Sequence, residues 1–117
     1  MKRKDSTVET EFHPILTFFL TWVDEIYVEW GDHCIITSGS ETSTRHSFTS
    51  LHYATPCQAA DIRIWERNKV PNKRKQVARL QELVEEFCEF KKIPSNWIEV
   101  ILESDHIHIE YQPKRQD

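Results

Sequence analysis

The chain has no long apolar run and no excess of positive charge. The longest apolar stretch, residues 15–23, is far too short to span a bilayer, so we expect no membrane insertion. Lys2-Arg3-Lys4 precedes it, but acidic residues interrupt the approach and no small-residue cleavage site follows. We therefore expect a protein made in the cytoplasm without its own signal peptide.

Nucleic acid is not an expected partner either. With 15 basic and 19 acidic residues, the net charge of -4 gives no general case for an anionic partner. One local basic run, from Arg67 to Lys75, is interpreted as a solvated loop before a helix. Binding of DNA or RNA by this run is the remaining alternative, and salt-sensitive binding would support it.

Cysteine and glycine are also scarce. The three cysteines contain no CxxC pair, which favours free thiols in a reducing compartment over a disulfide framework. With only two glycines, most turns must be made by other residues. The length of 117 residues fits one domain, which we expect to be a monomer.

The apolar patterns predict an α+β domain with a small, mainly antiparallel sheet and two main helices. Residues 1–12 are polar and are interpreted as a flexible N-terminal arm, before a single domain over 13–114. Apolar positions at helical spacing begin at Pro14 and again at Val77, each series running for about three turns. Predicted strands cover residues 34–36, 60–65, 97–102 and 107–111, the last two joined by a hairpin turn at 103–105. Residues 39–50 are predicted to be a loop.

The last predicted strand carries histidines on one face. Alternation places His106, His108 and Glu110 on one side and apolar residues on the other. By itself, such a pair of histidines is more often exposed or hydrogen-bonded than metal-ligating.

A second segment strengthens the interpretation as a metal site. Asp61 alternates with the apolar Ile62 and Ile64, and His52 lies upstream across a turn. Together with His108, these residues supply two imidazoles and one carboxylate, which are ordinary ligands of catalytic zinc. The turn residue Asp105 is a candidate general base for the attacking water, and Glu103 is the alternative base.

The segments Ile36-Thr37-Ser38-Gly39, Ser50-Leu51-His52-Tyr53, Ala59-Ala60-Asp61-Ile62-Arg63 and 100–111 occur in a recognisable order. They resemble the zinc D-Ala-D-Ala peptidases of the Hedgehog/DD-peptidase fold, a group that includes VanX, VanY and phage endolysins. The likeness covers roughly residues 13–114 and is closest to the short phage members.

The resemblance implies a zinc (Zn2+) peptidase that hydrolyses peptidoglycan stem peptides at bonds involving D-amino acids. It implies His52, Asp61 and His108 as zinc ligands and Asp105 as the base, with His106 assisting near the transition state. Many relatives place a substrate-binding arginine shortly after the Ser-Gly pair, where Ser40-Glu41 stand here, so the resemblance implies that Arg45 or Arg63 takes that role. His46 resembles a loop histidine of the phage members and is expected to line the substrate cleft. Release to the cell wall during phage lysis would fit the absence of a signal peptide.

One departure from the family supports an alternative function. The family separates its first histidine and aspartate by seven positions, whereas His52 and Asp61 are nine apart, without the usual glycine between them. A non-catalytic relative, which keeps the metal and serves as a cell-wall or protein-binding module, is therefore the alternative.

Overall fold

The computed structural model describes residues 1–39, 58–67 and 69–113. Within those ranges the chain forms two α-helices and a five-stranded mixed sheet, which confirms the predicted α+β class. The resemblance to the Hedgehog/DD-peptidase fold stays a prediction. The elements in chain order are β1 (Lys2–Arg3), α1 (Pro14–Glu29), β2 (Ile35–Ser38), β3 (Ala59–Arg63), α2 (Lys73–Lys91), a short 3-10 helix (Ser95–Trp97), β4 (Ile98–Leu102) and β5 (His106–Tyr111).

Both helices begin at side chains that cap their first turn. His13 precedes α1, and its Nδ1 accepts a hydrogen bond from the backbone N–H of Ile15 at 3.1 Å. Asn72 caps α2 by accepting from the N–H of Lys75 at 3.0 Å. At the other end of α2, Lys92 adopts the left-handed conformation (φ 58°) that terminates many helices.

The sheet has the strand order β1-β2-β3-β5-β4, so β3 and β5 lie in its middle. Strands β2, β3, β5 and β4 are joined by antiparallel pairings, whereas β1 runs parallel to β2. The turn between β4 and β5 is the predicted hairpin, closed by a 3.0 Å hydrogen bond from the Glu103 N–H to the His106 carbonyl. Strand β3 ends at Arg63, two residues earlier than predicted.

The hydrophobic core lies between the two helices and one face of the sheet. Helix α1 contributes Leu16 and Phe19, and α2 contributes Leu80 and Phe87, all with no exposed surface. The Phe19 and Phe87 rings meet with their centroids 5.3 Å apart. The thiols of Cys34 and Cys88 are free, as predicted, and they are buried in this core. The opposite face of the sheet carries the polar side chains of β3 and β5.

The N-terminal segment belongs to the folded domain, where the sequence predicted a flexible arm. Strand β1 pairs with β2, and the Lys2 N–H donates to the Cys34 carbonyl at 2.9 Å. Val8 and Phe12 are buried in the core. Two isolated apolar residues give no periodic pattern, which is why the sequence did not reveal their burial. No helix in the described ranges is both long enough and apolar enough to cross a membrane.

Candidate functional site

The two central strands bring together a carboxylate and two imidazoles. In the antiparallel pairing of β3 and β5, Asp61 lies opposite His108, and Arg63 lies opposite His106. Directly paired residues of antiparallel strands point to the same face. Their neighbours Ile62 and Ile107 are fully buried on the core side, so these four polar residues lie on the face away from the helices.

Both imidazoles approach the same carboxylate oxygen. The Nδ1 of His108 is 2.9 Å from Oδ1 of Asp61, and the Nε2 of His106 is 3.5 Å from it. Asp61 is only 3% exposed, whereas the His106 and His108 side chains keep 24% and 17% of their surface. The carboxylate is therefore buried beneath two partly accessible imidazoles.

A further acid contacts the outer nitrogen of each imidazole. Oε2 of Glu110 lies 3.2 Å from Nε2 of His108, and Oδ1 of Asp105 lies 2.7 Å from Nδ1 of His106. The five side chains form a continuous series, Asp105–His106–Asp61–His108–Glu110, which we name the acid–imidazole row. Acids and imidazoles alternate along it, so each histidine lies between two carboxylates.

This arrangement favours the charged form of His108. Burial opposes protonation of the ring, but hydrogen bonds to Asp61 and Glu110 and their negative charges outweigh it and raise the pKa of His108 to about 9. Carboxylates only accept hydrogen bonds, so the protonated ring donates one from each nitrogen. In the metal-free protein near neutral pH, His108 is therefore an imidazolium held between two acids.

Asp61 and His108 lie close to the separation of two ligands on one zinc ion. Ligands bound tetrahedrally at about 2.0–2.2 Å from zinc lie about 3.3–3.6 Å from each other. The 3.5 Å from Asp61 Oδ1 to His106 Nε2 falls within that range, and the 2.9 Å to His108 Nδ1 is somewhat shorter, as a direct hydrogen bond requires. If His108 bound zinc through Nδ1, its Nε2–H would still donate to Glu110, the usual way in which a carboxylate orients a zinc-binding histidine.

A complete three-ligand site is not present among the described residues. In the ranges 1–39, 58–67 and 69–113, no group of three histidine, cysteine or acidic side chains is placed to hold a metal. The predicted third ligand, His52, lies outside those ranges, as do the predicted substrate residues Arg45 and His46. Asp61 and His108 therefore supply the two predicted ligands whose positions are known.

The candidate bases occupy the β4–β5 turn. Asp105 is exposed over 83% of its side chain and contacts His106, the residue predicted to assist in the reaction. Glu103, the alternative base, is exposed at the beginning of the turn. Arg63, the third predicted substrate residue, lies beside His106 across the strand pair and places its guanidinium over the Trp65 ring at 5.0 Å.

Two further residues were given no role from the sequence. Glu110 follows His108 by two positions, and strand alternation was a sufficient signal to place both on one face. Gln76 is fully buried on α2, where its amide donates to the carbonyls of Trp65 and Pro71. A glutamine on the apolar face of a helix was the only signal for this contact.

Comparison with protein-family models, curated proteins and solved structures found no match to this chain.

Proposed function

We propose that this protein is a zinc-dependent peptidase acting on peptidoglycan stem peptides at bonds involving D-amino acids. The observation that carries the proposal is the convergence of Asp61 and His108. These residues are 47 positions apart in the chain, and their side chains meet at 2.9 Å on one face of the sheet. Both were candidate metal ligands on sequence grounds, and paired strands supply the rigid support that a catalytic site needs.

Asp61, His108 and His52 would hold the metal. Bound zinc would supply Lewis acidity toward the scissile carbonyl and activation of the attacking water. Glu110 would orient His108 through the 3.2 Å hydrogen bond to its outer nitrogen. Without that carboxylate the imidazole would lose a fixed orientation, so we assign Glu110 a positioning role.

Asp105 would act as the general base, with His106 beside it. The 83% exposed carboxylate can meet a water molecule arriving from solvent, and its contact with His106 at 2.7 Å fixes one of its oxygens. A proton taken from water by Asp105 could then pass to the leaving amine. The position of His106, 3.5 Å from Asp61, places an imidazole between base and ligand, where a ring N–H would stabilise developing negative charge.

The proposal is tested by zinc content and muropeptide cleavage in the wild type and three single variants. We expect the wild type to bind one zinc ion and to cleave muropeptides. Asp61→Asn should lose zinc, whereas Asp105→Asn should retain zinc and lose turnover by about 10²- to 10⁴-fold. Glu103→Gln is the matched control, because it removes a neighbouring carboxylate of the same turn.

Each alternative has its own outcome. Zinc binding by the wild type without any cleavage would refute catalysis and favour a non-catalytic cell-wall or protein-binding module, as the nine-residue separation of His52 and Asp61 suggests. No zinc binding would refute the metal centre. Loss of turnover in Glu103→Gln but not in Asp105→Asn would transfer the role of base to Glu103.

A further inference from the structure

At the end of β3, two guanidinium groups contact one indole ring. The guanidinium carbons of Arg63 and Arg67 lie 5.0 and 4.5 Å from the centre of the Trp65 ring. We name these three side chains the guanidinium–indole cluster. It begins beside the acid–imidazole row, because Arg63 is paired with His106 across the strands.

The cluster borders an open cleft of about 470 Å³ at the beginning of α2. The residues that line it include Trp65, Arg67, Val70, Pro71 and Lys73. Among the described lining residues, Glu66 carries one negative charge, and Arg67 and Lys73 carry two positive charges. The cleft therefore combines apolar surface with a net positive charge on a protein whose overall charge is -4.

Hydrogen bonds from the buried side chain of Gln76 fix the backbone that forms the cleft. The Gln76 amide donates to the Trp65 and Pro71 carbonyls, both at 2.8 Å, and its Oε1 accepts from the Tyr27 hydroxyl at 2.9 Å. The Trp65 indole N–H donates to the His33 carbonyl at 2.8 Å. The cleft is therefore preformed, and ligand binding would not lose free energy by ordering its backbone.

Arg67 has donors available for a ligand. One of its nitrogens lies 3.2 Å from Oδ1 of Asp32, and 59% of the side chain is exposed. A guanidinium carries five N–H donors, so an ion pair through one nitrogen leaves others for a second carboxylate. Stacking on Trp65 holds the group in place, which favours a planar, bidentate contact.

We infer that this cleft binds the free glutamate carboxylate of the stem peptide, near Arg67 and Lys73, while the scissile bond lies over Asp61 and His108. The inference rests on the proposed function. From Asp61 to Trp65 an extended chain spans about 13 Å, or four residues at about 3.3 Å each. A short peptide that runs from the acid–imidazole row past Arg63 to the cleft would occupy both places, because Arg63 pairs with His106 and contacts Trp65. Its acidic group would distinguish it from a neutral peptide of equal length.

Binding of synthetic peptides to metal-free protein tests the inference without turnover. The probe is L-Ala-γ-D-Glu-L-Lys-D-Ala-D-Ala, and its partner is the same peptide with the free glutamate carboxyl amidated. Affinities are measured by isothermal titration calorimetry. The binding site is located by NMR, from the change in chemical shift of the Trp65 indole N–H when the peptide is added. Arg67→Gln is compared with the matched control Arg79→Gln, which removes an arginine of α2 that pairs with Glu82 and Glu86.

We expect Arg67→Gln to weaken binding of the acidic peptide about five- to tenfold, since charge-assisted contacts at an exposed site are of moderate strength. Amidation should weaken wild-type binding by a similar factor and have little further effect on Arg67→Gln, because the two changes remove the same contact. Arg79→Gln should bind as the wild type does. Thermal unfolding curves check that both variants are folded.

Three results would overturn the inference. One is equal affinity of the wild type for the acidic and the amidated peptide, and another is unchanged binding in Arg67→Gln. The third is tighter, Arg67-dependent binding of a single-stranded DNA oligomer, which would identify a polynucleotide site. If Arg67-dependent peptide binding occurs but zinc binding and cleavage do not, the proposed function fails while the cleft assignment stands.

Discussion

Protonation of His108 should make the stability of the metal-free protein depend on pH. The ring lies between Asp61 and Glu110, and these carboxylates raise its pKa from 6.5 to about 9 despite burial. The unfolded chain has no such arrangement, so the folded state binds this proton more tightly. The stabilisation is fully present below pH 6.5, declines as pH rises, and is lost above about pH 9.

The magnitude follows from the difference between the two pKa values. At about 1.4 kcal/mol per pH unit, the interval from 6.5 to about 9 corresponds to a contribution on the order of 3 kcal/mol. The His108 side chain keeps 17% of its surface, so solvent screens this contact less than it screens an ion pair at the surface. A loss of this size is a large share of the stability of a small domain.

Urea denaturation with a chelator present, at pH 6 and at pH 9.5, measures this contribution. His108→Gln is the reference protein, because all other titrating groups remain in both proteins. The free energy of unfolding of the wild type, relative to His108→Gln, should be about 2–3 kcal/mol higher at pH 6 than at pH 9.5. An equal difference at the two pH values would refute the proposed charge state of His108.

Three further predictions concern the scaffold and are checked by urea or thermal denaturation. Gln76→Ala should destabilise the protein by about 3 kcal/mol, because the Tyr27 hydroxyl and two carbonyls lose a buried partner; a loss below 1 kcal/mol would contradict this. Phe87→Ala should cost about 3–5 kcal/mol, since this fully buried ring joins both helices. Gly39→Ala should lower stability by about 1–3 kcal/mol, because a methyl group there would overlap the Glu9 carbonyl oxygen; an unchanged midpoint would show that the backbone adapts freely.

Much of the scaffold followed from local patterns in the sequence. Helical spacing predicted both helices, and the alternation after His106 correctly placed His106, His108 and Glu110 on the face opposite the core. These features depend on neighbours a few residues away, so the sequence carries their signal directly. The β4–β5 hairpin was predictable for the same reason.

The pairing of Asp61 with His108 was not predictable from spacing alone. The two paired strands, β3 and β5, are separated in the chain by α2 and β4. Their register is fixed by the packing of Ile62 and Ile107 in the core. The contact of Asp105 with His106 depends on side-chain rotamers in a turn, which no residue pattern specifies. The strand Lys2–Arg3 was missed because two charged residues have no strand signature and pair only through the backbone.

The central position of β3 and β5 has a consequence for the order of folding. Helix α2 and strand β4 lie between them in the chain, so the pairing closes a long loop. Contacts of this kind form slowly, since the entropy of loop closure is lost before the strands gain their hydrogen bonds. During synthesis, Asp61 leaves the ribosome well before His108, so β3 lacks its central neighbour until β5 has emerged. The acid–imidazole row therefore assembles only after every other described element has been synthesised.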